Sequence, residues 1–199
     1  MKSSTLYWIT CAVSLGGLLF GFDSGVISGC EEAIQREFGL SPFWHGLVVA
    51  GALVGTVFGA LAAGRMCDRF GRKPLLVSGC AAMAAMHGLV AWQISLGEAC
   101  APWLAMLGVY GFIASVAFSA SAVIWVFISE IFPPDVRAKG QSFGCIVHWA
   151  MCMLVSWLFP VAVARTGTCA FAFFAAMMLL EMVWALAFMP ETKGRSIMA

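Results

Sequence analysis

Residues 74–97 read PLLVSGCAAMAAMHGLVAWQISLG, a run without a single Asp, Glu, Lys or Arg. A helix rises about 1.5 Å per residue, so about 20 mainly apolar residues cross the roughly 30 Å hydrocarbon core of a bilayer. The run is long enough to do so. The whole chain has the same character, because 62% of its 199 residues are hydrophobic and 11% are charged, against about 45–50% and about 25% in soluble domains.

Five further apolar runs lie on either side of this one, at residues 6–28, 42–64, 99–129, 141–164 and 166–189. Within the longest of them, the membrane part is expected at 103–128, since a proline suits the start of a helix. Two carboxylates, Asp23 and Glu181, are the only charged residues inside the six runs. The loops between the runs are short. The sequence therefore predicts an all-α integral membrane protein, a single domain of six transmembrane helices over residues 1–199.

The basic residues predict the orientation of this bundle. With an even number of spans, both termini lie on one side of the membrane, and that side carries Lys2, Arg65, Arg69, Arg72, Lys73, Arg137, Lys139, Lys193 and Arg195. Only Arg36 and Arg165 lie on the other side. The positive-inside rule then places both termini in the cytoplasm, and a plasma or inner membrane is expected. The net charge of +1 gives no indication of a nucleic acid partner.

Few residues suit catalysis or metal binding. His45 and His87 have no carboxylate or cysteine at a spacing that would complete a metal site. The sequence also lacks a recognisable nucleophile and base pair and a phosphate-binding loop. We therefore expect no enzyme activity, no metal and no cofactor.

Five motifs resemble the sugar porter family of the major facilitator superfamily. They are 16–29 (GGLLFGFDSGVISG), 64–73 (GRMCDRFGRK), 125–133 (WVFISEIFP) with Arg137 and Lys139, 148–149 (HW) with 155–160 (VSWLFP), and 190–194 (PETKG). In family order they resemble the opening helix, the cytoplasmic loop between paired helices, the end of helix ten, helix eleven and the tail after helix twelve. The resemblance implies a secondary carrier for sugars.

The resemblance also implies a shortened form of the family's fold. Residues 1–70 resemble helices 1–2 of the front half, and residues 71–199 resemble helices 9–12 of the back half. The join falls at the cytoplasmic loop motif, which the family carries in both halves. Because the halves are internal repeats, the result is expected to be a six-helix bundle resembling one half of a major facilitator transporter.

The resemblance assigns four residues to transport. Trp125, His148 and Trp149 would bind the sugar, with an aromatic face against its C–H face. Asp23 matches an aspartate that takes up a proton in proton-coupled relatives, whose arginine partner is absent from the runs of this chain. The alternatives are a core or interfacial tryptophan, a histidine that bonds neighbouring helices, and a structural buried acid.

A further group resembles the family's cytoplasmic gate, in which charged residues at helix ends hold the inner side closed. Its members here are Gly64, Arg65, Asp68, Arg69, Gly71, Arg72, Glu130, Arg137 and Glu191. The alternative interpretation is a set of surface ion pairs worth about 0–1 kcal/mol each.

The predicted function is a sugar-porter-like carrier of a monosaccharide, either facilitative or a proton symporter. Alternating access needs two halves that move against each other, and one six-helix bundle is a single half. We therefore expect a homodimer, with the sugar and the lipid bilayer as its other partners. The second hypothesis is a transport-inactive relative that binds and regulates a full-length carrier. The third is an incomplete or fused gene model, with the fusion between Arg69 and Pro74.

Overall fold

The structure, a computed structural model, describes residues 39, 41–119, 123, 126, 137–189 and 191. Within that part of the chain there are five α-helices with described bounds, one short 3-10 helix and no β-strand, and Val123 and Val126 are also helical. The helices are α1 (Pro42–Phe70), α2 (Arg72–Ser95), α3 (Pro102–Phe118), α4 (Arg137–Thr166) and α5 (Thr168–Phe188), and the 3-10 helix is Gly97–Ala99. The predicted first span with Asp23, and the predicted site residues Trp125 and Glu130, lie outside the described residues.

Local sequence explains where three of these helices begin. Pro42 and Pro102 open α1 and α3, positions where the missing N–H of proline is not needed. A single residue, Gly71, separates α1 from α2. Its φ of 99° belongs to a region that side chains rarely allow, so the glycine lets the chain leave one helix and enter the next at once.

Helix α2 is the centre of the described bundle. It packs most extensively against α5 and α3 and also touches α1, while α4 packs against α5. The buried core between these helices includes Cys80, Met83, Phe112 and Met178. Each of the other helices therefore takes its position directly or indirectly from α2.

Small residues let α2 and α3 approach closely. A Cβ atom added at Gly79 would collide with the side chain of Ser119, and one added at Gly108 would lie 3.1 Å from the backbone oxygen of Met86. In a bilayer the hydrophobic effect does not drive helices together, because lipid tails are as apolar as the helix surfaces. Close backbone approach at small residues is therefore a main means of helix packing there. The α2–α3 contact is of that kind.

Three described helices are long and apolar enough to span a membrane: Arg72–Ser95, Arg137–Phe159 and Thr168–Phe188, with mean hydropathies of 1.6, 1.6 and 2.1. The apolar helix Trp103–Phe118 is shorter. Large apolar side chains such as Phe58, Trp157 and Phe173 are exposed on the outside of the bundle. Such a surface is suited to lipid contact, because a bundle in lipid has no need to bury apolar side chains.

Candidate functional site

The carboxylate of Glu191 binds the N-terminus of α2. Its Oε1 accepts a hydrogen bond from the backbone N–H of Arg72 at 3.0 Å, and its Oε2 accepts one from the N–H of Lys73 at 3.1 Å. The first N–H groups of a helix have no partner within the helix, and they form the positive end of its dipole. Because α2 has no side-chain cap of its own, a carboxylate from beyond the end of α5 supplies one.

Gly71 makes room for this carboxylate. A Cβ atom at position 71 would lie 2.6 Å from Oε2 and 2.9 Å from Cδ of Glu191. No real Cβ tolerates such contacts, so a side chain here would push the glutamate away. The position therefore favours glycine for its backbone angle, and the space that glycine leaves lets the flexible end of Glu191 reach the helix N-terminus.

Two basic side chains extend the contact to α1 and α5. Nη2 of Arg72 lies 3.5 Å from Oδ1 of Asp68, and its Nη1 donates to the backbone oxygen of Cys67 at 3.4 Å. Nζ of Lys73 donates to the backbone oxygen of Leu186 at 2.8 Å, near the end of α5 where basic side chains are favourable. We call Asp68, Gly71, Arg72, Lys73 and Glu191 the helix-end network, since together they join the end of α1, the start of α2 and the end of α5.

The structure thus brings together four of the residues that the resemblance assigned to a gate: Asp68, Gly71, Arg72 and Glu191. Lys73 was not predicted as a member, although it stands in the same motif. It bonds to a backbone carbonyl, and such a bond cannot be recognised from residue types.

The other predicted gate residues lie near the same end of the bundle. Gly64 and Arg65 are exposed in the last two turns of α1. The guanidinium of Arg69 lies 5.4 Å from the centre of the Phe70 ring, a cation–π distance. Arg137 opens α4 and is half-buried. All of these basic side chains stand at helix ends, where water and headgroups can solvate them.

The two predicted sugar-binding residues of α4 have different surroundings. His148 is 4% exposed, and its Nε2 lies 3.6 Å from Sγ of Cys152. Trp149 is 64% exposed, with its ring centre 5.3 Å from that of His148. The histidine is thus inside the bundle and the tryptophan on its surface. Since Trp125 and Asp23 lie outside the described residues, a sugar pocket that combines all four remains a prediction.

Further polar side chains inside the bundle tie helices together. Oε1 of the buried Gln93, near the end of α2, accepts a hydrogen bond from the N–H of Ala101 at 3.0 Å and so caps the start of α3. The ring of His87 stacks on Phe112 with centres 4.0 Å apart. Among the residues that the structure describes, no three His, Cys, Asp or Glu side chains are grouped so that they could hold a metal ion.

Comparison with known proteins places this arrangement in a family. The family model for "Sugar (and other) transporter" matches residues 8–77 and again 65–199. The chain is 32% identical over 196 residues to "Putative metabolite transport protein YwtG" of Bacillus subtilis, which covers 96% of this chain and 40% of that protein. It is 37% identical over 130 residues to the D-xylose transporter of Levilactobacillus brevis, which covers 65% of this chain and 27% of that protein.

A solved structure agrees with these relatives. The major facilitator proton:xylose symporter XylE, bound to 6-bromo-6-deoxy-D-glucose, matches with a TM-score of 0.80 at 26% identity, covering 94% of this chain and 41% of that one. The chain thus spans well under half the length of each of these three relatives. The predicted fold class, an all-helical membrane bundle resembling half of a major facilitator transporter, is confirmed. Because the family match extends over nearly the whole sequence, this chain belongs to the sugar (and other) transporter family, the sugar porters of the major facilitator superfamily.

Proposed function

We propose that this protein is a secondary carrier that moves a monosaccharide across a membrane, and that a homodimer is the transporting unit. The observation that carries the proposal is the helix-end network, in which the Glu191 carboxylate joins the start of α2 to the segment after α5. A carrier that works by alternating access needs contacts at one end that hold in one state and release in another. Charge-assisted hydrogen bonds between helix ends are contacts of this kind.

We infer the homodimer from the two-half organisation of such carriers. In major facilitator transporters, two halves related by an axis along the membrane normal rock about a substrate between them. One six-helix bundle supplies a single half, and two copies with cyclic symmetry would supply both. In that arrangement the basic end faces the cytoplasm, and the network of each copy closes that side.

We assign the substrate to Trp125, His148 and Trp149 of each copy, and proton uptake, where it occurs, to Asp23. The relatives support the substrate class, since one is a D-xylose transporter and another a proton:xylose symporter. An aromatic ring can pack on the apolar face of a sugar, and a buried carboxyl inside a span is a common proton carrier.

Uptake of radiolabelled D-xylose and D-glucose by reconstituted protein, with and without a proton gradient, tests the proposal. We expect uptake above that of empty liposomes, which Trp125→Ala abolishes. We expect Asp23→Asn to remove the response to the gradient while leaving gradient-independent exchange. Purified protein that is only monomeric in mild detergent, and that no sugar stabilises against heat, would contradict the proposal.

A second candidate function is a transport-inactive partner of a full-length carrier. The absence from the spans of the arginine that partners the aspartate in relatives favours it. In that case the protein would co-purify with a full-length sugar porter and change its uptake rate, while moving no sugar alone. The liposome assay, repeated with and without the longer carrier, separates the two functions.

A further inference from the structure

Glu181 lies inside the bundle, on the side of α5 that packs against α2. The buried residues of α5 are Ala170, Phe171, Phe174, Met178, Glu181 and Ala185, which recur at spacings of three and four and so share one side of the helix. Only 4% of Glu181 is exposed. No step of the proposed function uses this residue.

The nearest side chain to the Glu181 carboxyl that can exchange a proton with it is a thiol. Cys80, on the facing helix α2, is itself fully buried and lies close enough to interact with the carboxyl. Its second oxygen, Oε2, is buried without a hydrogen-bond partner in the structure described. Among the residues that the structure describes, no cation pairs with this carboxyl. An ionised carboxylate that is buried without a partner costs several kcal/mol.

The other titratable groups of the packed helices lie away from this pair. On α2, Lys73 and His87 each stand about two turns from Cys80; Lys73 donates to the oxygen of Leu186, and His87 stacks on Phe112. On α4, His148 lies against Cys152. On α5 itself, the one other titratable side chain is Cys169, which is exposed near the start of the helix. None of these described groups is paired with Glu181, so among the described residues the carboxyl faces a thiol.

We propose that Glu181 and Cys80 form a proton-binding site between α2 and α5, in which the carboxyl holds its proton at neutral pH and reacts with hydrophobic carbodiimides. The proton leaves only when water reaches the α2–α5 contact, because only water can then solvate the charge. The site is separate from Asp23, and it goes beyond the proposed sugar transport.

The reaction of the Glu181 carboxyl with a carbodiimide needs no further reagent. The carboxyl proton moves to one nitrogen of the carbodiimide, and a carboxylate oxygen bonds to its central carbon to give an O-acylisourea. The acyl group then shifts to the neighbouring nitrogen, which leaves a stable N-acylurea with the atoms of both reactants. Alternatively, the Cys80 sulfur attacks the acyl carbon, the C–O bond breaks, and the dialkylurea leaves with the thiol proton. That route joins Cys80 to Glu181 by a thioester, with the net loss of one water from the protein.

Intact-mass measurement and peptide mapping of the purified full-length chain in detergent test the site. We expect dicyclohexylcarbodiimide to modify Glu181 several-fold more than a water-soluble carbodiimide does. Asp68, whose side chain is 77% exposed, serves as the internal control and should show the opposite preference. Labelling of Asp68 without any at Glu181, or equal labelling of Glu181 by both reagents, would overturn the proposal.

Two variants test the pair and the proton. Wild-type protein should yield some thioester, whereas Cys80→Ala should yield N-acylurea alone; identical products from both would mean that the thiol does not face the carboxyl. The infrared spectrum at neutral pH should contain the C=O stretch of a protonated carboxyl that Glu181→Gln loses, and a spectrum unchanged by that substitution would contradict the protonated state. None of these measurements requires sugar uptake, so their failure would leave the transport proposal standing.

Discussion

Glu181, within α5, and Glu191, in the segment after it, both lie against α2, but at different parts of that helix. Glu191 accepts two backbone N–H groups at the helix N-terminus. Glu181 meets the thiol of Cys80 in the middle of the helix, and its second oxygen has no hydrogen-bond partner in the described structure. The side chains are identical, so the difference comes from the part of α2 that each one faces.

That difference follows from how a helix uses its own backbone. At the N-terminus the N–H groups are unpaired and the dipole is positive, so a carboxylate is stabilised there. In the middle of the helix each N–H is already bonded to the preceding turn, and a carboxylate gains nothing from the backbone. A glutamate at the helix end can therefore work as a charged cap, whereas one that is buried against the middle of the helix is more stable with its proton.

Of the substitutions that test this comparison, Glu181→Lys should have the largest effect on stability. Lysine would place an amine where a neutral acid lies between α2 and α5. We expect a loss of about 3 kcal/mol in the free energy of unfolding, because the amine must either stay charged without a partner or give up its proton. Thermal unfolding in detergent, followed by circular dichroism, measures it. Glu181→Gln is the matched control, with an expected loss below about 1 kcal/mol because the amide is also neutral. Equal stability of the two variants would show that water already reaches this position.

Gly71→Ala should have the next largest effect, and it acts on the other glutamate. The methyl group would lie against the Glu191 carboxyl and would force alanine to a φ of 99°, so we expect a loss of about 2 kcal/mol. In a double-mutant cycle with Glu191→Gln, measured by the same unfolding assay, the two losses should be less than additive, because each removes the same contact. Strict additivity would mean that the strain at position 71 alone accounts for the loss.

Glu191→Gln should cost about 1–1.5 kcal/mol. The amide oxygen of glutamine can still accept one N–H. The amide NH₂ group is a donor and cannot accept the second N–H, and the negative charge at the helix terminus is lost. The same substitution at Glu181 should cost less, so the pair of variants compares the two sites directly. A larger loss at Glu181 than at Glu191 would reverse the interpretation of both.

Much of the bundle could be predicted from the sequence, because lipid imposes simple rules on length and charge. The helix starts at Pro42 and Pro102 and the apolar runs follow from those rules. Helices α1, α2 and α4 nevertheless extend beyond their runs, whereas α3 and α5 lie within theirs. Helix α1 continues to Phe70 and α4 begins at Arg137, since a helix can leave the hydrocarbon and carry its basic residues into water, while a search for uncharged residues stops at the first charge.

The candidate site was less predictable, because its key bonds involve the backbone. The sequence placed Asp68, Arg72 and Glu191 at the same end and suggested bridges between opposite charges. The Glu191 carboxylate instead binds N–H groups of Arg72 and Lys73, which every helix start possesses. The pairing of Cys80 with Glu181 was equally hidden, because it depends on the register of α2 against α5, and neither residue belongs to a family motif.

Asp68→Asn should have the smallest effect on the helix-end network. Its carboxylate is 77% exposed and lies 3.5 Å from Arg72, so water screens the pair, and we expect a loss below about 1 kcal/mol. The loss should shrink further in high salt, because the pair is at the surface. The loss from Glu191→Gln should shrink less, since salt screens the interaction of its charge with the helix dipole but not its two hydrogen bonds to backbone N–H groups. Unfolding of both variants at low and high salt measures this. A salt-resistant loss at Asp68 would show that its carboxylate, like that of Glu191, is held by more than a surface ion pair, and the contrast between screened and backbone-bound acids would then fail.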